Sequence, residues 1–259
     1  MMDFEQFTNG EDPGSCGDEL KNRISELCDG LRLRDGQNNC EINEEVIELL
    51  GSIVEARNLE SGLHIKRVKG YTGILANTMK ERYPEYGLTD RSIKLIMAAS
   101  PLHDIGKIMI SDAVLLKPGR LSPEEFEYMK THTTGGCELL KYAGNLWTED
   151  CRRVCMEITR HHHERWDGSG YPDGLAGDDI PISAQLVSVA DAYDALVTER
   201  TYKKSCTPDA AYQMIIRGEC GKFNPKLIDC FTAARPAMEE YTAKTVLLSV
   251  QDSQHSPSY

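Results

Sequence analysis

Apolar residues recur at helical spacing through most of the chain, and alternation over strand lengths is brief wherever it occurs. The strongest stripe follows a predicted N-cap at Asn43 and consists of Val46, Leu50, Ile53 and Val54. The same spacing predicts further helices at 19–34, 63–80, 90–104, 134–142, 149–163, 182–199, 208–217 and 225–240. The pattern therefore predicts an all-α fold.

One further helix is marked by its first residues. Ser122 is a predicted N-cap, Pro123 occupies the first helical position, and Glu125 completes a capping box. This helix carries His132, and a separate helix is predicted for 134–142.

Composition divides the chain into three predicted parts: an acidic leader at 1–42 with a short helix, a globular domain at 43–243, and a flexible tail at 244–259. With 259 residues, 40% hydrophobic and 27% charged, the chain can bury a sizeable core. It has no run of eighteen apolar residues and no signal-peptide pattern. We therefore expect a cytoplasmic protein without a membrane partner.

The charge distribution argues against a nucleic-acid partner. The net charge is −12, and the first 60 residues hold fifteen acidic and five basic residues, a net of −10 that leaves −2 for the rest. The nine cysteines include no Cys-x-x-Cys pair, which favours a reducing compartment. Cys151 and Cys155 lie one helical turn apart and are predicted to be buried small side chains rather than metal ligands.

Histidines and carboxylates recur together in the predicted domain. The stretch HHHERWDGSGYP at 161–172 begins with three histidines, and adjacent imidazoles on a helix point about 100° apart, so they reach neighbouring ions. His103 and Asp104 follow an apolar run, which should place both side chains in the interior. Burial of these two groups is costly unless both are paired or coordinated. Lys107 follows one turn later, where its ammonium group can reach a phosphate oxygen.

Three further candidates extend the pattern. Glu60 and His64 are four residues apart, which suits a shared ion but also a surface ion pair. His132 alone is better explained as a packing or capping residue. Asp191 lies on an otherwise apolar helix and requires a partner such as a metal, whereas Asp194 is expected to form structural hydrogen bonds.

Taken together, these residues form a nitrogen and oxygen ligand set without a thiolate. The predicted metal ligands are Glu60, His64, His103, Asp104, His132, His162, His163 and Asp191. Because eight ligands are too many for one ion, we expect two or three divalent ions, with iron or manganese favoured over zinc. Such clusters are typical of phosphoester hydrolysis.

Four motifs follow one another along the chain: LHDIGK, LLKPGRLSPEEFEYMKTHT, HHERWDGSGYPDGL, and VADAYDAL followed by ERTYK. In order and spacing they resemble the HD-GYP family of cyclic di-GMP phosphodiesterases, and the resemblance covers residues 43–235. The resemblance implies an HD-type helical bundle extended by the HD-GYP C-terminal helices. It also implies that Glu60 matches the extra glutamate of members with three ions. His161 lies outside the motif and is expected to face solvent.

The resemblance also assigns roles. It implies that Asp104 and Lys107 are catalytic, and that Lys107, Tyr171, Arg200 and Lys203 bind the dinucleotide. Three positions depart from the family pattern: Gln185 replaces a frequent arginine, Asn224 a common aspartate, and Thr201 the usual proline. None of the three is a predicted ligand, so we expect them to affect substrate fit and local stability.

The expected reaction is attack of a metal-bridging hydroxide on cyclic di-GMP, which gives the linear dinucleotide and, with a third ion, GMP. Two alternatives remain open. One is a phosphohydrolase for another cyclic dinucleotide or nucleotide, and the other is a non-catalytic sensor or partner-docking module. A homodimer or a signalling protein partner is also left open.

Overall fold

The computed structural model describes residues 44–58, 63–142, 147–198 and 205–254, with side chains described as far as 245. The helices in these ranges are α1 Glu44–Arg57, α2 Leu63–Arg82, α3 Asp90–Ala99, α4 Asp112–Leu115, α5 Pro123–Tyr142, α6 Glu149–His161, α7 Ile182–Val197, α8 Pro208–Ile216 and α9 Pro225–Gln254. Short 3₁₀ segments lie at Pro84–Tyr86, Ser100–Leu102, Ile105–Met109 and Gly177–Asp179. The described residues contain no strand and one isolated bridge, between Asp167 and Ala176, so the predicted all-α fold is confirmed.

Helix α2 forms the centre of the bundle. It packs against α9, α7 and α3, so its side chains are buried on several sides. Tyr71 of α2 lies edge-on to Tyr193 of α7, with ring centroids 5.2 Å apart, and Tyr193 lies 5.5 Å from Phe231 of α9. These three fully buried rings join the helices through apolar contact, the dominant favourable term in folding.

Several predicted helix boundaries are corrected. Helix α3 ends at Ala99 rather than at 104, because Pro101 has no N–H group to continue the hydrogen-bond ladder. The helices predicted on either side of residue 133 are one continuous helix, α5. Helix α9 continues to Gln254, beyond the predicted end at 240 and into the stretch predicted as a tail.

The start of α5 agrees with the sequence prediction. The Glu125 carboxylate accepts a hydrogen bond of 2.6 Å from the Ser122 backbone N–H, and the Ser122 hydroxyl accepts one of 3.2 Å from the Glu125 N–H. The predicted capping box is therefore confirmed, and it fixes the direction in which α5 carries His132 towards the site. The predicted helix at 19–34 and the leader at 1–42 lie outside the described residues.

Candidate metal centre

One ligand group lies between the start of the 3₁₀ segment Ile105–Met109, helix α5 and the end of α6. Its ligand atoms all lie within 4.8 Å of one another and belong to Asp104, His132, His162 and His163. Asp104 Oδ1 is 3.3 Å from His132 Nε2 and 3.7 Å from His162 Nε2. Ligands about 2.1 Å from a shared ion are themselves roughly 3.4 Å apart in a tetrahedral arrangement, so these distances suit one ion.

A second ligand group lies beside the first and consists of His64, His103 and Asp191. Asp191 Oδ1 is 3.7 Å from His64 Nε2 and 4.0 Å from His103 Nε2. His103 Nε2 is also 3.3 Å from Asp104 Oδ2. Asp104 therefore turns one carboxylate oxygen towards each group, which is the orientation required of a carboxylate shared between two ions.

Hydrogen bonds on the far side of each ring fix which nitrogen faces the site. The Nδ1 atoms lie 2.9 Å from the Ser100 carbonyl for His103, 2.7 Å from the Met129 carbonyl for His132, and 3.0 Å from the Ile158 carbonyl for His162. Because a carbonyl oxygen only accepts, each Nδ1 carries the proton. In the neutral ring each Nε2 then presents a lone pair to the site, the tautomer that a metal ligand requires.

The site-facing atoms provide a test of whether metal ions fit. Within the described part of the chain, His103 Nε2, His132 Nε2, His162 Nε2 and Asp104 Oδ1 are buried and have no hydrogen-bond partner. Leaving four such atoms unsatisfied in the interior is costly. Divalent cations would satisfy all four, so the residues present fit the predicted metal centre.

The pKa values of the histidines differ between the two groups. Burial lowers the pKa of His132 to about 4 and lowers that of His163 well below its usual range, so both imidazoles are neutral. For His103, burial is outweighed by Asp104 and Asp191, and the pKa rises to about 9. The second group is thus held beside carboxylates that attract positive charge, a proton or a metal ion.

Two glycines allow the ligand-bearing segments to approach closely. A Cβ atom on Gly106 would lie 1.9 Å from the His132 carbonyl oxygen, and one on Gly136 would lie 2.5 Å from the Thr159 side chain. The backbone that carries Asp104 therefore lies directly against α5. This close approach brings Asp104 and His132 within reach of one ion.

Arg57 anchors the same 3₁₀ segment from the other side. Its guanidinium group, at the end of α1, donates to the carbonyls of Lys107, Ile108 and Ile110 at 3.0, 2.5 and 2.7 Å. It also forms an ion pair with Asp112 at 2.7 Å. Arg57 thus holds the segment that bears Lys107, although no sequence motif indicated this role.

Asp194 forms the structural hydrogen bonds predicted for it. Its carboxylate lies 2.7 Å from His64 Nδ1 and accepts bonds of 2.5 and 3.0 Å from Arg67. Because Asp194 fixes Nδ1 of His64, Nε2 of that ring is the atom turned towards Asp191. Arg67 was not among the predicted site residues, although its position three residues after His64 on one helix was a usable signal.

Lys107 and Tyr171 both lie against the first ligand group. Lys107 Nζ forms an ion pair of 2.6 Å with Asp104 Oδ2. Burial alone would raise the pKa of Asp104, but the positive charges of Lys107 and His103 outweigh it and hold that pKa well below its usual range.

The Tyr171 ring lies 4.7 Å from the His163 ring and 6.5 Å from the His132 ring. The buried Glu164 accepts hydrogen bonds of 2.8 and 3.1 Å from the backbone of Asp173 and Leu175, which fastens the loop that carries Tyr171.

The structure brings together all of the predicted site residues that it describes. These are His64, His103, Asp104, Lys107, His132, His162, His163, Tyr171 and Asp191. Glu60, Arg200, Thr201 and Lys203 lie outside the described residues. The expectation for His161 is wrong: its side chain is 15% exposed, lies near Glu164 and Asp173, and belongs to neither ligand group.

The sequence of this chain is similar to those of known proteins. A family model described as "HD domain" matches residues 59–227. A cyclic di-GMP phosphodiesterase of Vibrio cholerae is 39% identical over 228 residues, which cover 85% of this chain and 46% of that protein. One of Thermotoga maritima is 41% identical over 187 residues, covering 72% of this chain and 48% of that protein.

A third relative has a different named substrate. A 3′3′-cGAMP-specific phosphodiesterase of Vibrio cholerae is 40% identical over 189 residues, covering 73% of this chain and 34% of that protein. The chain thus spans about half or less of the length of these curated relatives. A solved HDG"Y"P protein of Bdellovibrio bacteriovorus aligns with a TM-score of 0.51 and 19% identity over 91% of this chain and 76% of its own, which supports the fold alone.

Among the described helices, none combines the length and the apolar character that crossing a bilayer requires.

Proposed function

This chain belongs to the HD-domain family, and we propose that it is a metal-dependent phosphodiesterase that hydrolyses cyclic di-GMP to the linear dinucleotide. The observation that carries the proposal is the pair of ligand groups that meet at Asp104, with Lys107 on the same carboxylate. The names of two relatives, at 39% and 41% identity, support the choice of substrate.

The metal ions would be held in two adjacent positions. Asp104, His132, His162 and His163 would hold one ion, and His64, His103 and Asp191 the other. Ligands of this nitrogen and oxygen type suit iron or manganese. When bound, the ions would activate water and neutralise the charge of the phosphoryl oxygens. On the family motif, Glu60 would hold a third ion and support a second cleavage to GMP.

Lys107 provides a cation that is part of the chain itself. Its ammonium group contacts Asp104 and its side chain is 17% exposed, so it lies at the edge of the ligand groups with one side open. From this position it would donate to a phosphoryl oxygen or to the leaving 3′ oxygen. A fixed donor at a site where negative charge develops stabilises the transition state more than the ground state.

Tyr171, Arg200 and Lys203 would bind and orient the dinucleotide. Tyr171 presents an aromatic ring beside His163, and the two cations are complementary to the second phosphate. The proposal for Arg200 and Lys203 rests on the family motif, since both lie outside the described residues.

A second candidate substrate is 3′3′-cGAMP. The relative named as specific for it is 40% identical to this chain, as similar as those named for cyclic di-GMP. The ligand groups would serve either substrate, because the two molecules have the same phosphodiester bonds and the same ring of sugars and phosphates. Discrimination must therefore come from residues that contact the bases.

A panel of substrates tests the proposal. Protein loaded with Mn(II) or Fe(II) is incubated with cyclic di-GMP, 3′3′-cGAMP, cyclic di-AMP and linear nucleoside polyphosphates, and the products are separated by chromatography. We expect cyclic di-GMP to have the highest kcat/KM. Asp104→Ala should abolish turnover, whereas His161→Gln, at the histidine that belongs to neither ligand group, should retain it. Binding of cyclic di-GMP without turnover under either metal would contradict the proposal.

A further inference from the structure

Phe126 is an exposed aromatic side chain close to the candidate metal centre. It lies in the first turn of α5 and is 45% exposed, whereas most aromatic rings of the described domain are buried or half-buried. A single exposed apolar residue is ordinary at a protein surface. The contacts of this ring, however, connect it to the site.

Phe126, Tyr171 and His163 form a row of rings that leads from the surface to the first ligand group. Phe126 lies 6.3 Å from Tyr171 at an interplanar angle of 82°, and Tyr171 lies 4.7 Å from the ligand His163 at 32°. Along α5, Phe126 precedes the ligand His132 by six residues, a rise of about 9 Å. The distance from the exposed ring to the centre where a phosphate would bind is therefore comparable to the length of one nucleotide.

Lys130 adds a fixed positive charge to this row. Its Nζ atom lies 5.1 Å from the Phe126 centroid and 5.4 Å from the Tyr171 centroid, within the range of a cation–π contact. Glu127 holds the ammonium group by an ion pair of 2.6 Å. Two rings and a cation are thus arranged together on one side of the ligand group.

This combination matches the chemistry of a purine base. Bases stack on exposed aromatic side chains, and a lysine donates to the O6 and N7 acceptors of guanine, whereas adenine presents an amino donor in place of O6. We propose that Phe126, with Lys130 and Tyr171, forms a subsite that stacks one guanine base of the substrate. The subsite rests on the proposed function, which supplies the dinucleotide.

Kinetics with Phe126 variants test this subsite. Mn(II)-loaded wild type, Phe126→Ala, Phe126→Leu and Phe126→Trp are assayed with cyclic di-GMP and with its abasic analogue, a cyclic phosphodiester without bases. For cyclic di-GMP, loss of one base–aromatic stack should raise KM by about ten- to a hundredfold in Phe126→Ala, with kcat almost unchanged. Phe126→Trp should restore the KM and Phe126→Leu should not. Turnover of the baseless diester should be the same in all four proteins.

Tyr142→Ala is the matched control, because Tyr142 lies at the other end of α5 and is 46% exposed. This variant should leave KM and kcat for both substrates unchanged. Lys130→Met should reduce the preference for cyclic di-GMP over cyclic di-AMP. Metal content, measured by elemental analysis, should remain at the wild-type value in every variant.

The outcomes separate this inference from the proposed function. If wild type cleaves cyclic di-GMP and Phe126→Ala keeps the wild-type KM, the subsite is refuted and the function stands. A variant that loses activity on both substrates equally would show a structural role for Phe126 and would also refute the subsite. If wild type cleaves only the baseless diester, the proposed function fails and the subsite fails with it.

Discussion

Asp104 is the residue at which the two ligand groups meet, and Lys107 is the cation that contacts it. The ion pair of 2.6 Å places Lys107 beside the groups that would hold the ions without making it a ligand. Its removal should therefore affect the reaction more than metal binding. The predicted substrate-binding cation Arg200 provides the contrast.

Lys107→Ala should lower kcat by about a hundredfold or more while metal content is retained. Removing one hydrogen-bond donor to the charge that develops in the transition state has an effect of about this size. Arg200→Ala should chiefly raise KM, because its predicted contact is equally strong in the ground and transition states. Steady-state kinetics and elemental analysis of both variants provide the test. An unchanged kcat in Lys107→Ala would remove Lys107 from the mechanism.

Two departures from the family pattern meet in one contact. Asn224 Nδ2 donates a hydrogen bond of 2.9 Å to Gln185 Oε1, and both side chains are buried. Asn224 also donates to the Tyr86 hydroxyl at 2.8 Å. An arginine and an aspartate at these positions would form a buried ion pair, whereas this chain has a neutral pair with a smaller desolvation cost.

Gln185→Arg alone should destabilise the fold by about 3 kcal/mol, because it buries a charge without its partner. Adding Asn224→Asp should recover part of this loss. Urea unfolding of the two single variants and the double variant gives the coupling free energy. Additive effects in this cycle would show that the two positions are not coupled.

The candidate ligand residues could be predicted from the sequence because histidines and carboxylates next to apolar runs are chemically unusual. Their motifs made each residue recognisable without knowledge of the fold. Arg57 and Phe126 were not identified, since arginine and phenylalanine are common at half-exposed positions. Their roles depend on contacts with residues that are distant in the chain, and those contacts are visible only in the fold.

At the scale of elements, the central feature is the contact between α5 and the 3₁₀ segment Ile105–Met109. Gly135 and Gly136 lie within α5 and both face this segment: a Cβ atom added to Gly136 would lie 3.1 Å from the backbone nitrogen of Gly106, whereas one added to Gly135 would lie 3.2 Å from the side-chain sulfur of Met109. The helix is continuous here, where two helices were predicted. Local sequence did not reveal that tertiary packing keeps this glycine pair helical.

Gly136→Ala should destabilise the metal-free protein by about 1–3 kcal/mol, because its Cβ would overlap Thr159 and Ile105. Gly135→Ala is the matched control: its Cβ meets only the flexible Met109 sulfur, at 3.2 Å. The gain in helix propensity should make this variant neutral or more stable by up to about 1 kcal/mol. Urea unfolding measures both, and equal effects would contradict the proposed role of Gly136 in close packing.

At the scale of the whole molecule, the candidate ligands among the described residues come from five separate segments. His64 belongs to α2, His132 to α5 and Asp191 to α7, while the others follow α3 and α6. Metal ions at this centre would link these segments in the native state but not in the unfolded chain. Metal binding should therefore stabilise the fold.

Removing metal with a chelator should lower the Tm by about 5–10 °C relative to protein with ions at a hundredfold excess over Kd. Asp104→Ala should have a Tm that does not respond to metal. Differential scanning calorimetry of both proteins, with and without Mn(II), measures this. An identical metal response in wild type and Asp104→Ala would contradict the assignment of Asp104 as a shared ligand.

The most direct test of the central claim is a titration of turnover with metal. Metal-free protein is given increasing amounts of Mn(II) or Fe(II), and the release of linear dinucleotide from cyclic di-GMP is measured at each ratio. We expect no product without metal and a plateau at two or more ions per chain. Turnover that is independent of metal, a plateau at a single ion, or no product at any ratio would contradict a metal-dependent cyclic di-GMP phosphodiesterase.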